Sequence, residues 1–410
     1  MTSSDAWPKQ DQDHGLRILI LLSALMSFSS IATDMYLPAL PSLVNDLHAD
    51  IGRVELTIST FLVGFSAGQL LWGPLSDRTG RRLPILIGLM LFVVGSVGCA
   101  LSADIAQLLM WRVVQALGAC AGPVLARAMV RDLYARERSA QMLSILILMM
   151  AVAPLAGPLL GGQILKVASW RAIFGVLAAC GVSGLLALRM LPETLPPQQR
   201  SRSPLRRTFA EYLQLIKDPR LLTYALAGGF YYGGCYAFIA GTPFAYVDYY
   251  HVSPTAFGLL FSVNIVGLMV MNFLNTRLIP RLGSERLFRM GAVIVAVAGL
   301  ALMINARTGF GGVAGLAIPV FFFMAPSGFI VANSVASALA FFPRQAGAAS
   351  SLVGAMHYGS GVLTAAMLGW LADGTPWPMG LIVGLCGLGC LTVALLPRVH
   401  PALAGQPARG

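Results

Sequence analysis

The stretch 73-GPLSDRTGRR-82 packs two glycines, one aspartate and three arginines into ten residues. On both sides the charge disappears. About 53–75 and 83–102 are apolar runs of roughly 20 residues, the length a helix needs to cross ~30 Å of hydrocarbon. A charged decapeptide between two such runs is a turn at a membrane surface. Gly73 permits close helix approach, Gly80 supplies a positive-φ turn, and Asp77 can accept hydrogen bonds from Arg81 or from a neighbouring helix N-terminus.

The same reading extends outward over all 410 residues. The chain is 57% hydrophobic and only 11% charged, where soluble domains carry about 25% charged residues, and its mean hydropathy is +0.74. Apolar runs recur at about 16–44, 53–75, 83–102, 105–127, 140–165, 171–191, 220–247, 255–278, 287–306, 312–341, 345–372 and 377–396. The period-2 alternation of a lipid-embedded barrel is absent. The expected fold is therefore an all-α membrane protein with twelve transmembrane helices. The first run is too long, and its start too polar, for a cleavable signal peptide. All six cysteines fall inside the runs and read as small packing residues, with no disulfide or metal framework.

The formal net charge of +11 does not point to nucleic acid. Of the 28 Lys and Arg residues, 23 fall on the side of the longest polar interruption and four (Arg53, Lys166, Arg171, Arg307) on the other, with Arg112 inside a span. By the positive-inside rule this asymmetry predicts an even number of spans with both termini in the cytoplasm. The interruption, 192-PETLPPQQRSRSPLRRTFAEYLQLIKDPR-220, divides the chain into a tail (1–15), a six-helix bundle (16–191), a linker (192–219), a second six-helix bundle (220–396) and a second tail (397–410). Six helices, a linker and six more is the layout of transporters built from two pseudo-symmetric halves. Pro38 in 34-DMYLP-38 registers on Pro243 in 239-IAGTP-243, and 277-RLIPRLGSER-286 is a decayed counterpart of 73–82. Within the linker, Leu205 to Ile216 forms either an amphipathic helix on the anionic inner leaflet or a solvated positive stretch.

Asp34 is the only charged residue between Arg17 and Asp46, and a carboxylate at mid-membrane costs about 2.5–3.5 kcal/mol on insertion scales. Arg112 lies ~12 Å along the fourth span and Asp34 ~15 Å from the same end of the first, at 1.5 Å per residue. The two opposite charges at similar depth are expected to pair across a central cavity. Gln115 lies one turn from Arg112. His357, in the eleventh span, is the other protonatable side chain placed mid-span, although such a histidine is more often a hydrogen-bonded packing residue. Glu55 is placed at a span end. The stretch 229-GFYYGGCYAF-238 puts Tyr232 and Tyr236 on a face with Ile239, either a wall for amphiphilic substrates or ordinary packing. In 153-APLAGPLLGG-162, the residues Pro154, Gly157, Pro158, Gly161 and Gly162 weaken the helix and allow tight packing.

The turn at 73–82 resembles the signature loop of the major facilitator superfamily, matching it at Gly73, Asp77, Arg78, Gly80, Arg81 and Arg82. The resemblance implies that the loop latches the halves on the cytoplasmic side, with Arg131 and Asp132 as partners of Asp77. The 112-RVVQA-116 stretch resembles the superfamily motif of the fourth helix, with Ala116 in place of glycine, and 153–162 resembles the fifth-helix motif of proton-coupled antiporters, with Ala153 in place of the first glycine. Over about residues 16–397 the chain resembles the Bcr/CflA branch of drug–proton antiporters, through 34-DMYLPALP-41, 131-RDLY-134, 170-WR-171 and 192-PETLP-196. This implies proton-coupled export of small drugs such as bicyclomycin, chloramphenicol or sulfonamides across a bacterial inner membrane, and it implies no cofactor beyond the proton gradient. Asp34 and Arg112 would couple proton to drug, and Gln115, Tyr232, Tyr236, Ile239 and His357 would line the substrate cavity. Some multidrug exporters carry a second acidic residue two turns earlier, where this chain has Met26. Partners are expected to be the drug, protons and lipid, with the chain a monomer. The rival reading is a proton-coupled importer of a nutrient. A membrane-embedded enzyme would need a metal or nucleophile cluster, which the sequence lacks.

Overall fold

A computed structural model describes residues 9–134, 142, 145–146, 152–201, 205–342 and 345–396, with side chains from Arg17 onward except those of 205 and 207. The outermost part of the first tail, the opening of the fifth run and the second tail (397–410) lie outside the described residues, as do several linker-side arginines of the charge pattern. No strand occurs among the described residues.

The first span is α1 (Lys9–Asp34), a 3-10 turn (Leu37–Ala39) and α2 (Leu40–Asp46). Spans two to four are α3 (Ile51–Thr79), α4 (Arg82–Leu101) and α5 (Ile105–Leu133); α6 (Val152–Val167) belongs to the fifth, and α7 (Trp170–Ala187) is the sixth. After the linker helix α8 (Leu205–Leu215) come α9 (Pro219–Pro243), α10 (Pro254–Leu282) and α11 (Ser284–Thr308). The tenth span is broken into α12 (Gly312–Met324), a π-helical turn (Gly328–Ala332) and α13 (Asn333–Ala340); α14 (Ala346–Leu371) and α15 (Trp377–Leu395) complete the chain. Nine of these described segments are long and apolar enough to cross a membrane. Helices therefore stand at all twelve expected positions.

Local chemistry sets the boundaries. Asp50, Asp104, Asp218 and Ser253 cap the starts of α3, α5, α9 and α10, each accepting a bond from the backbone N–H of Arg53, Gln107, Arg220 and Ala256 respectively. Such caps satisfy donors that a helix start leaves orphaned. Proline breaks two spans at corresponding places: α1 stops at Asp34 just before Pro38, and α9 stops at Pro243, with a π-helical turn (Phe244–Tyr249) after it. The 73–82 stretch is mostly helix, where the sequence reads as a turn. Helix α3 runs through to Thr79 despite Pro74, and only Gly80 (φ 92°) and Arg81 separate it from α4. The turn in the second half also uses a positive-φ glycine, Gly283 at 76°.

Two seams join the halves. Along the first, α3 meets α14: the Ser59 hydroxyl donates to the Val362 carbonyl at 3.0 Å and Ser66 to that of Ala355 at 2.8 Å. At the end far from the linker this seam closes backbone to backbone, where a Cβ on Gly52 would collide with the Gly369 carbonyl. Along the second, α6 meets α10, with the Ser262 hydroxyl on the Leu155 carbonyl at 3.1 Å and Gly162 against Pro254.

Candidate functional site

The break in the first span builds the centre of the molecule. A helix that ends at Asp34 leaves its last carbonyls without partners and carries a partial negative charge there. Arg112 answers that end. Its Nη1 donates to the Ala32 carbonyl at 3.0 Å and to Gln115 Oε1 at 2.7 Å, while the Gln115 amide donates to the Ser96 hydroxyl at 2.9 Å. The guanidinium lies over the rings of Phe61 (4.4 Å), Tyr36 (4.7 Å) and Phe174 (5.8 Å), contacts that favour a desolvated cation. The Tyr36 hydroxyl is held by Thr57 at 3.0 Å.

This arrangement corrects the expected Asp34–Arg112 pair. Arg112 is completely buried in the first bundle, and no ion pair joins it to Asp34 among the described residues. Equal depth along two helices does not make two side chains face each other: Arg112 turns to the broken backbone, Asp34 away from it. Gln115 is likewise corrected, since it serves Arg112 and Ser96 inside the bundle and borders no central cavity.

Asp34 instead borders a cavity of about 150 Å³ between the halves. Phe61 and Phe65 wall it from the first half, and Tyr236, Phe261 and Tyr358 from the second. The Phe65 and Tyr358 rings meet across the interface at 4.4 Å between centroids. Ile239 and Pro154 also line it. Tyr232 and His357 do not, which corrects their place: they stack on one another at 4.8 Å, with His357 buried against Gly228, and Tyr232 touches Tyr236 and Tyr358. They support the aromatic wall from behind.

The glycine and proline motif of the fifth span fits against this centre. A Cβ on Gly157 would stand 3.0 Å from the Cβ of Asp34, and one on Gly161 would strike the Met35 carbonyl. These positions let α6 lie directly on the break in α1, while Pro158 is buried beside them.

At the linker end, Arg81 occupies the place expected of Asp77 as the hub. Its Nη1 donates to Asp77 at 2.6 Å and Ser76 at 2.7 Å, and its Nε and Nη2 grip both oxygens of Asp132 at 2.8 and 3.3 Å. The sequence reading missed Glu193 and Thr194 here, although 192-PETLP-196 was the signal. Glu193 accepts the backbone N–H groups of Arg81 (2.8 Å), Leu195 (3.0 Å) and Arg82 (3.2 Å), and Thr194 donates to Asp132 at 3.0 Å. Burial alone would raise the Glu193 pKa; those amides and the Arg200 charge outweigh it and hold the carboxyl below its ordinary value. Gly80 leaves the room for this contact, since a Cβ there would sit 2.5 Å from the Glu193 carboxylate. Every one of these bonds stays within the first half and the linker. Arg131 is exposed and, with Arg78 and Gly73, borders a linker-end pocket of about 460 Å³ that reaches Ser350 and Ser351 of α14.

Among the described residues no cluster of His, Cys, Asp and Glu is arranged to hold a metal.

Comparison with known proteins places this architecture. The Major Facilitator Superfamily profile matches residues 22–304 and 230–410. The chain is 37% identical to the uncharacterized MFS-type transporter YdgK of Bacillus subtilis over 90% of its length and 92% of that protein's. It is 31% identical to the bicyclomycin resistance protein homolog of Haemophilus influenzae (90% and 92% covered) and 32% identical to a chloramphenicol resistance protein of Pseudomonas aeruginosa (91% and 90% covered). Among solved structures, a D-xylose–proton symporter superposes with a TM-score of 0.74 at 15% identity, covering 92% of this chain and 97% of that one. With two six-helix halves closing on a central cavity and a profile match that runs through both, this chain belongs to the major facilitator superfamily and is a multi-pass membrane transporter, not an enzyme.

Proposed function

We propose that the chain exports small drugs in exchange for protons across a bacterial inner membrane, as a monomer, with both termini and the linker in the cytoplasm. The observation that carries this reading is Asp34, a carboxylate 6% exposed, in a cavity walled by aromatic rings from both halves. Aromatic walls suit amphiphilic molecules, and the drug-resistance relatives agree with that chemistry. Among the described residues of the cavity wall, that carboxylate is the one group that can exchange a proton for a ligand.

Protonated, Asp34 carries no charge that must be desolvated, and the halves can rock around the cavity at low cost. Drug entering from the linker side displaces the proton into the cytoplasm. Reopening to the far side admits a proton to Asp34 and releases the drug. Arg112 holds the backbone two residues before Asp34, so it positions the carboxylate without neutralising it. The glycines of α6 allow the broken helix to slide during rocking, and Arg81 with Glu193 fastens the linker end.

The test is proton release in weakly buffered detergent solution on adding chloramphenicol or bicyclomycin, comparing wild type with Asp34→Asn. Release from wild type that is lost in the variant is the expected result. Release that persists in the variant moves the proton site elsewhere. Drug binding without release in either protein rules out exchange.

A further inference from the structure

A second carboxylate lies at the seam between the halves. Glu55, one turn into α3, is 3% exposed, and one of its carboxylate oxygens is buried without a hydrogen-bond partner. Gly52, Glu55, Ser59, Leu62 and Ser66 recur at three- and four-residue intervals, which places them on one face of the helix. Gly52, Ser59, Leu62 and Ser66 all touch α14, at Gly369, Val362, Gly361 and Ala355. Glu55 therefore faces the far-end closure of the α3–α14 seam.

Among the described residues, the charged groups around it offer no counter-ion. On its own helix and the preceding turn, Arg53 and Asp50 pair with each other at 3.4 Å in solvent, and His48 is exposed. From α14, Asp373, just past the helix end, is the charge that acts on Glu55, and it is of like sign. From α2, Asp46 accepts the Trp170 indole at 2.9 Å, and from α5, Asp104 caps its own helix while Arg112 turns to Ala32. Asp248, after α9, is exposed, and Arg171 of α7 donates to the Ser102 carbonyl. An ionised carboxylate sealed in such a place is expensive, and the group takes a proton instead.

We propose that Glu55 is a second proton-binding site, loaded from the far side as the α3–α14 seam closes and emptied to that side when it opens. Closure takes a proton from water onto a carboxylate oxygen; opening returns it to the same water. This inference rests on the exchange reading for the direction of the cycle, yet it makes a separate demand. The Asp34 proton crosses the membrane and the Glu55 proton does not. Glu55 therefore sets how far-side pH controls opening, without entering the number of protons exchanged per drug.

The experiment places spin labels at Lys166→Cys and Arg307→Cys, on opposite halves at the far end, in a Cys180→Ala background in lipid nanodiscs. Distances are recorded without drug from about pH 5 to pH 9. Wild type and Asp34→Asn should lengthen as pH rises. Glu55→Gln should stay short across the range, and Glu55→Asp, which keeps an ionisable group, should still open. In vesicles, the protons moved per drug should be unchanged in Glu55→Gln. A Glu55→Gln chain that opens with the wild-type midpoint, a wild type indifferent to pH, or an altered proton count would each overturn the proposal. If drug releases no proton from wild type while the distance still follows pH through Glu55, the exchange reading fails and the Glu55 site stands.

Discussion

Arg112 shows how one side chain can serve a neighbour it never touches. Its bond to the Ala32 carbonyl stabilises the open end of α1, and Asp34 inherits its position from that end. Lysine keeps the charge but lacks the flat face that lies over three aromatic rings. Arg112→Lys should therefore cost about 2 kcal/mol, the worth of a desolvated cation lying on aromatic faces. The check is a lower unfolding midpoint in detergent, together with loss of drug resistance in expressing cells. Gly161 makes a sharper case, because a single methyl there meets the Met35 carbonyl. Gly161→Ala should abolish transport while leaving membrane insertion intact, whereas Gly175→Ala, with open space around it, should transport normally; a cellular drug-accumulation assay separates the two.

Among elements, the linker is the one whose role the fold changes most. The segment 192–201 is more than a tether: Glu193 caps the start of α4, and the Ser201 amide donates to the Asp77 carbonyl at 2.7 Å. The carboxyl of Glu193 is held below its ordinary value in the folded chain, so its contribution is present at pH above the unfolded value of about 4.3 and is lost as pH falls through the lower, folded one. Hydrogen exchange at the Arg81, Arg82 and Leu195 amides, corrected for the intrinsic rate, should be flat between neutral pH and pH 6 and rise only in stronger acid. Glu193→Gln should show raised exchange at neutral pH already. Protection that declines between neutral pH and pH 6 would assign it to some other group.

At the scale of the whole molecule, the two seams must part for a solute to cross. The α3–α14 seam is continuous from Gly52–Gly369 to Ser66–Ala355, with serine hydroxyls of α3 bonded to backbone carbonyls of α14. A disulfide between Ser59→Cys and Val362→Cys should arrest transport, and a reductant should restore it. Full transport by the oxidised protein would show that the halves do not separate along this line.

Much of this architecture was legible before any fold was known, because its signals are local. Run lengths placed all twelve spans, Pro38 and Pro243 registered the two halves on each other, Gly80 marked the positive-φ turn, and the glycines at 157 and 161 a close approach. Each depends on hydrophobic period, on a missing N–H or on an absent Cβ, and these are properties of a few adjacent residues. Which side chains meet was a different matter. Arg112 went to a backbone carbonyl rather than to Asp34, Gln115 and His357 turned out of the cavity, and Glu55, at a span end as read, was found sealed in a seam. Those outcomes depend on the rotation of each helix about its axis and on which neighbour covers it. Depth along a span says nothing of either, so only the packing of the two halves could decide them.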